Sequence, residues 1–155
     1  MRDFNAKYRL GQNFLTDPDL LDRLVRLNHV EPGELVLEVG CGRGDLTAAL
    51  LRHGAIVHGI EVDDDLIPIL EARFADEIAD ARLILHHADA RRIDWGQFGV
   101  THLLSNVPYY LTRYLLRQAF VELPTCKSMG FTLQLEAADR LLAAAPGDSH
   151  YLPKL

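Results

Sequence analysis

Residues 35–44 read Leu-Val-Leu-Glu-Val-Gly-Cys-Gly-Arg-Gly. The first five form a short apolar run of the kind that makes a buried strand. The next five, Gly40 to Gly44, place three glycines in a loop. A glycine loop directly after a strand lets a ligand approach the backbone, because no Cβ intervenes. In open α/β sheets such loops face the carboxyl ends of the strands, where ligands bind. The bland alternative is a strand-to-helix turn, and three glycines in five residues argue against it. A dinucleotide-binding fingerprint would need G-x-G-x-x-G. Asp45 holds the sixth position here, so the pattern is G-x-G-x-G, and a nicotinamide-dependent dehydrogenase fits poorly.

Strand and helix signals alternate on both sides of this stretch. Asp17-Pro18 predicts a helix start, a capping carboxylate followed by proline at the first helical position. Leu20, Leu21, Leu24, Val25 and Leu27 continue it at helical spacing. Glu31-Pro32-Gly33-Glu34 breaks that helix. Asp45 to His53 reads as helix and Ala55 to Glu61 as strand. Asp63-Asp64-Asp65 opens a predicted helix carrying Leu66, Ile67, Ile69, Leu70 and Phe74, with Pro68 tolerable in its first turn. Further strands are predicted at Arg82–His86, His102–Ser105 and Lys127–Leu133. Helices are predicted around Leu111–Phe120 and Leu135–Leu142. Such alternation implies right-handed crossovers and an α/β fold with a mostly parallel sheet. No repeat, low-complexity segment or linker interrupts it, so residues 1–155 read as one domain, with residues 1–30 as an N-terminal cap region.

Composition agrees with that reading. The chain has 155 residues, 48% hydrophobic and 25% charged, which suits a soluble globular domain with one sizeable core. The first fifteen residues lack an apolar core of the signal-peptide kind. No apolar run approaches the roughly 20 residues that cross a bilayer. Cys41 and Cys126 lie far apart and outside any CxxC, so no disulfide framework is expected and the cytoplasm is the default compartment. Net charge is −6, unevenly spread. Residues 31–104 hold six basic and fourteen acidic side chains, while each flank is +1. If the chain meets nucleic acid, the two ends are the expected surface.

Three further sites fall at predicted strand ends. Glu61 closes the second strand, where a carboxylate can accept both ribose hydroxyls of an adenosine; a solvated or helix-capping acid is the alternative. In Ala88-Asp89-Ala90 small residues flank one carboxylate. A flat ring could lie against that backbone while Asp89 accepts from an exocyclic amine, although a turn aspartate would look the same. The fourth strand runs into Ser105-Asn106-Val107-Pro108-Tyr109-Tyr110. Asn106 offers a side-chain carbonyl. Val107 offers a backbone carbonyl constrained by the following proline. Tyr109 offers a ring face. Two acceptors and an aromatic platform suit an adenine whose N6 is to be alkylated, and a proline turn with packed tyrosines is equally compatible with these letters. The seven histidines show no metal-ligand spacing, so no metal is expected. Trp95 and Phe98 read as core or rim packing.

The order of these pieces resembles the ribosomal RNA adenine dimethyltransferases, the KsgA-like family, with the Erm antibiotic-resistance methyltransferases as relatives. Arg9-Leu10-Gly11-Gln12-Asn13-Phe14-Leu15 is similar to that family's N-terminal signature, and Val36 to Gly44 to its S-adenosylmethionine loop. Gly59-Ile60-Glu61-Val62-Asp63 and Ala88-Asp89-Ala90 resemble its second and third cofactor motifs. Asn106-Val107-Pro108-Tyr109 resembles its catalytic N-[LIV]-P-Y, and Leu133-Gln134 with Glu136 to Arg140 a late segment. The resemblance spans nearly the whole chain. It implies a Rossmann-like class I S-adenosylmethionine-dependent methyltransferase fold with helices on both faces of the sheet. It implies cofactor contacts from Asn13, Leu15, Gly40, Gly42, Glu61, Asp89 and Asn106. Asn106, Val107, Pro108 and Tyr109 would meet the target base. Leu135 stands where the family usually has lysine, and Tyr110 where asparagine is commoner. The family also runs about a hundred residues further, through an antiparallel hairpin and a helical RNA-binding domain, so a piece of a longer protein is expected.

The implied activity is methyl transfer from S-adenosylmethionine to adenine N6 in small-subunit ribosomal RNA. Alternatives are an Erm-like action on large-subunit RNA and a non-catalytic cofactor-binding module in ribosome assembly. Lys7, Arg9, Arg113 and Arg117 are the expected phosphate contacts. A cytoplasmic monomer acting on the small ribosomal subunit, with no membrane partner, completes the expectation.

Overall fold

The structure is a computed structural model and describes residues 16–106 and 112–132. Strands β1 (Leu35–Val39), β2 (Ile56–Glu61), β3 (Leu83–His87), β4 (His102–Asn106) and β5 (Ser128–Thr132) form one sheet. Their order is β3-β2-β1-β4-β5, and every pairing is parallel. Helix α1 (Pro18–Leu27) precedes β1, and the connections contain helices α2 (Asp45–Arg52), α3 (Ile67–Arg73), α4 (Ala75–Ala79) and α5 (Thr112–Glu122). All five strands lie within one residue of the segments predicted from sequence. The predicted helix at 135–142 and the signature at 9–15 lie outside the described residues.

The chain runs outward from β1 through β2 to β3, then crosses back to place β4 on the other side of β1. That reversal, between β1 and β4, is where an open sheet leaves a crevice for ligands. Two apolar clusters fill the two faces. On one, Val36, Val57, Leu83 and Leu104 meet Leu21 and Val25 of α1, Leu46 and Leu50 of α2, and Leu70 of α3. On the other, Leu37, Val39, Ile60 and Leu103 meet Leu115 and Ala119 of α5 and the fully buried Trp95. Each large apolar side chain removed from water contributes about 1.5–3 kcal/mol. Layers on both faces explain why the strands read as continuous apolar runs.

Local signals behave as their chemistry requires. The Asp17 carboxylate caps α1, accepting from the backbone N–H of Asp19 at 3.0 Å and of Leu20 at 3.3 Å. The helix expected from Asp63 begins later. Asp63 Oδ1 accepts from the Asp65 N–H, and the Asp63 carbonyl accepts from Leu66 and Ile67, so residues 63–66 form a turn ahead of α3. Pro68 then falls in the first helical turn. Phe74 leaves helical geometry, with φ −120°, and separates α3 from α4. Trp95 starts a 3-10 turn over Trp95–Phe98, and Phe98 packs on the stacked imidazoles of His58 and His86.

At the amino end of the sheet, buried His102 bridges Ser128 Oγ and Glu34 Oε2, each at 2.7 Å. Lys127 pairs with the other Glu34 oxygen. These contacts tie β4 and β5 to the start of β1 at the end away from the glycine loop. No helix among the described residues is long and apolar enough to cross a membrane.

Gly44 shows how the loop is packed. Its φ is +86°, and a methyl group built there would lie 2.4 Å from the Phe74 ring and 2.9 Å from Leu70. Gly44→Ala is expected to cost roughly 2–4 kcal/mol, combining left-handed backbone strain with overpacking. Urea unfolding measures it; an unchanged midpoint would mean that Phe74 yields freely.

Candidate functional site

Four loops or strand ends meet at the carboxyl rim, and hydrogen bonds join them in pairs. The Gly40 N–H donates to the Ile60 carbonyl at 2.8 Å, which fastens the glycine loop to β2. The Gly42 N–H donates to Glu61 Oε2 at 2.8 Å. Glu61 Oε1 accepts from the N–H groups of Val62 at 2.8 Å and Asp63 at 2.9 Å. The Glu61 carbonyl accepts from the Ala88 N–H at 2.9 Å. Across the switch point, buried Ser105 donates its hydroxyl to the Val39 carbonyl at 2.5 Å. Asn106 ends β4 beside Thr132, whose hydroxyl donates to Asn106 Oδ1 at 2.5 Å.

The glycine loop is shaped for an approaching ligand. Gly40, Gly42 and Gly44 all have positive φ. A Cβ added at Gly40 would meet nothing within 4 Å, so the space in front of that residue is open. Buried Glu61 accepts from three backbone N–H groups among the described residues, and a carboxylate has about four acceptor sites. Val62 follows it and is half-exposed, an apolar surface at the same rim. An adenosine fits this arrangement: open backbone for close approach, a carboxylate for hydroxyls and an apolar neighbour for the ring.

Asp89 lies after β3 as expected, but its carboxylate is engaged. The Arg91 guanidinium contacts both oxygens, with Nε at 2.9 Å from Oδ1 and Nη2 at 2.6 Å from Oδ2. That pairing, ahead of other influences, holds the Asp89 carboxyl below the usual range. For Asp89 to meet an amine, the half-exposed Arg91 side chain must yield one oxygen. The loop itself is pinned from α5. Tyr114 donates its hydroxyl to the Arg91 carbonyl, and Gln118 donates to the carbonyls of Ala90 and Ile93. Trp95 Nε1 also donates to the Ala90 carbonyl, at 3.0 Å.

Several contributors were not read from sequence. Glu38 is 1% exposed within β1, and Thr47 of α2 donates to it at 2.6 Å. Burial first, then the charges of Glu61 and Asp45, raise its carboxyl to about 8 against the hydrogen bonds from Thr47. A carboxylate inside the apolar run Leu35–Val39 was the available signal. Arg73 of α3 donates to the Arg43 carbonyl and to Asp45, holding the far side of the glycine loop. Among the described residues no group of three or more His, Cys, Asp or Glu is placed to hold a metal. Cys41 and Cys126 are free thiols, and burial pushes the Cys41 thiol well above its ordinary value.

The structure thus brings Gly40, Gly42, Glu61, Asp89 and Asn106 to one rim. Arg117 is exposed on α5. Asn13, Leu15, Lys7, Arg9, Val107, Pro108 and Tyr109, with the side chain of Arg113, lie outside the described residues.

Comparison with known proteins agrees with this geometry. The chain is 38% identical over 146 residues to ribosomal RNA small subunit methyltransferase A of Pseudomonas putida, covering 92% of this chain and 53% of that protein. It thus spans about half the length of the curated relatives it matches. Among solved structures it resembles a dimethyladenosine transferase from Plasmodium falciparum, with TM-score 0.76 and 29% identity, covering 90% of this chain and 49% of that one. It also resembles the 23S rRNA methyltransferase ErmE, with TM-score 0.70 and 25% identity over 83% of this chain and 51% of that one. The ribosomal RNA adenine dimethylase family model matches residues 3–152. Asp89, Glu61, the glycine loop and Asn106 stand in that order across the sheet of a class I methyltransferase fold, and the chain belongs to the ribosomal RNA adenine dimethylase family.

Proposed function

We propose that this chain is the methyl-transferring part of a small-subunit ribosomal RNA adenine N6-dimethyltransferase that uses S-adenosylmethionine. The observation that carries the reading is the hydrogen bond from the Gly42 N–H to Glu61, at the same rim as Asn106. It joins a ligand-accepting loop to a ribose-binding carboxylate, at the rim that also carries an amide suited to an exocyclic amine.

When bound, S-adenosylmethionine supplies an electrophilic methyl group on a sulfonium. Gly40 and Gly42 admit it to the backbone, and Glu61 accepts from its ribose hydroxyls. Asp89 accepts from its adenine amine once Arg91 shifts. Asn13 and Leu15 would add contacts from the N-terminal segment. On the acceptor side, Asn106 Oδ1 and the Val107 carbonyl take the two protons of the target N6 in hydrogen bonds. This draws the nitrogen toward tetrahedral geometry and localises a lone pair otherwise spread into the ring. Pro108 would restrict the residue before it, Val107, and Tyr109 would stack on the base, which must first leave its helix or loop. Positioning carries much of the rate enhancement. The alkylated nitrogen is acidic enough to lose its proton to water, so no strong base is required. Arg117, with Lys7, Arg9 and Arg113, would meet RNA phosphates in the cytoplasm.

Glu61→Ala is expected to weaken S-adenosylmethionine binding by roughly 1–3 kcal/mol, the cost of an unpaired buried group. Titration calorimetry measures it, and an unchanged dissociation constant rejects the ribose assignment. The function itself is tested with methyl-labelled cofactor and undermethylated small and large ribosomal subunits, followed by mapping of modified adenines. Label at adenine N6 of small-subunit RNA is expected. Label confined to large-subunit RNA would favour an Erm-like enzyme, and cofactor binding without transfer would leave an assembly module.

A further inference from the structure

The segment that follows β3 and carries Asp89 draws its hydrogen bonds from one face of α5. Tyr114, Gln118 and Glu122 lie four residues apart on that helix and so line up along it. The Tyr114 hydroxyl donates to the Arg91 carbonyl at 3.1 Å. Gln118 Nε2 donates to the carbonyls of Ala90 at 3.1 Å and Ile93 at 3.2 Å. Glu122 Oε2 accepts from the Trp95 N–H at 2.7 Å and from Gln118 Nε2 at 3.3 Å. Gln118 is the buried centre of the row. Its amide has one workable orientation. Two carbonyls and a carboxylate surround Nε2, and a half-turn would set Oε1 against three acceptors. That orientation holds although it leaves Oε1 buried with no hydrogen-bond partner among the described residues. An orphaned buried acceptor is destabilising, so the donor end of this side chain is where its use lies.

We propose that Gln118 is a positioning residue for the cofactor, whose carboxamide holds the backbone of residues 90–93 from α5 so that Asp89 stays at the rim to accept from the adenine amine. This rests on the cofactor half of the proposed function and not on methyl transfer. The hold matters because the Arg91 guanidinium pairs with the Asp89 carboxylate. A nucleoside that binds Asp89 displaces that guanidinium, and a loop braced by the ion pair alone would lose its shape at that moment. Gln118 grips backbone carbonyls, which the exchange leaves untouched. It touches no ligand and acts through the loop. In the sequence the four-residue spacing reads as a polar helix stripe, and only the packing of α5 on the loop reveals its partners.

Gln118→Met keeps length and bulk and removes the donor. Gln118→Asn keeps a donor that is one methylene short of the loop. The two disturb packing differently, so a folding failure in one leaves the other to decide. The first measurement is native-state hydrogen exchange. The Arg92 and Trp95 amides donate to the Asp89 carbonyl and to Glu122, and each is expected to exchange about tenfold faster in the variants, with β1 and β2 amides unchanged. Unchanged exchange at these two amides overturns the proposal. The second is calorimetric binding of S-adenosylhomocysteine and of S-inosylhomocysteine, which carries a 6-oxo group in place of the amine. The wild type is expected to favour the adenine ligand by at least about tenfold, as one hydrogen bond to a charged group allows. The variants are expected to favour it by less than about threefold, with affinity for the inosine ligand unchanged. Equal losses for both ligands, with the ratio kept, would make Gln118 structural only and overturn the proposal. A wild type that does not discriminate would overturn it together with the adenine contact of Asp89. A wild type that discriminates yet transfers no methyl would sink the proposed function and leave this inference standing.

Discussion

Asn106→Ala removes methyl transfer by a factor of about 10²–10³ or more, while S-adenosylmethionine binding stays within about threefold. The asymmetry follows from what the amide does. On the proposed reading its carbonyl accepts from an amine that gains positive charge as its lone pair takes the methyl group, so the N–H becomes a better donor and the bond strengthens on the way to the transition state. On that reading the cofactor is held mainly elsewhere, by the glycine loop and the Glu61 carboxylate. Alanine also removes the Asn106 Oδ1 that accepts from the Thr132 hydroxyl, at the edge of the site. Calorimetry with the cofactor and a tritiated-methyl assay separate the two effects. Equal losses in both would mean that the amide braces the end of β4 and takes no part in the chemistry.

The second large effect concerns Glu38. Its carboxyl stays protonated in the folded chain up to about pH 8, whereas in the unfolded chain it ionises near 4.5. Between those values the native state binds the extra proton, so stability falls as pH rises, by about 1.4 kcal/mol per unit. Below that window both states are protonated and the contribution vanishes. Across the window the loss is on the order of 4 kcal/mol, a large share of a domain's stability. Glu38→Gln retains an acceptor for the Thr47 hydroxyl and cannot ionise. The variant is expected to match the wild type near pH 5 and to exceed it by several kcal/mol near pH 9. Urea unfolding at a series of pH values reads this directly. Parallel stability profiles for the two proteins would show that Glu38 reaches water or a cation when it ionises.

The architecture was legible in the sequence because its signals are local. Each strand is an apolar run closed by glycine, proline or acidic residues, and covering layers on both faces make those runs continuous. Helix α1 announced its start through Asp17 and Pro18, and the structure keeps that start. Asp63-Asp64-Asp65 misled for a related reason: Asp63 does bond the backbone ahead of it, but it closes a turn first. The rim positions of Gly40, Glu61, Asp89 and Asn106 follow from strand ends alone. Their partners do not. Gly42 with Glu61, Glu38 with Thr47, and Asn106 with Thr132 are meetings across the sheet or between layers, set by register and helix packing. Arg91 lies close to Asp89 in sequence, yet nothing in Ala88-Asp89-Ala90 reveals that the guanidinium would occupy the carboxylate.

The grip of Glu61 on the Gly42 amide has a kinetic consequence. Three glycines in five residues would otherwise leave that segment a large store of backbone freedom, which capture of a nucleoside would have to quench. Because the carboxylate holds the segment before any guest arrives, that entropy is surrendered once, when the chain folds. On the proposed reading that part of the seat is preformed, so capture does not wait on ordering of the glycine segment, although the Arg91 side chain must still move to free Asp89.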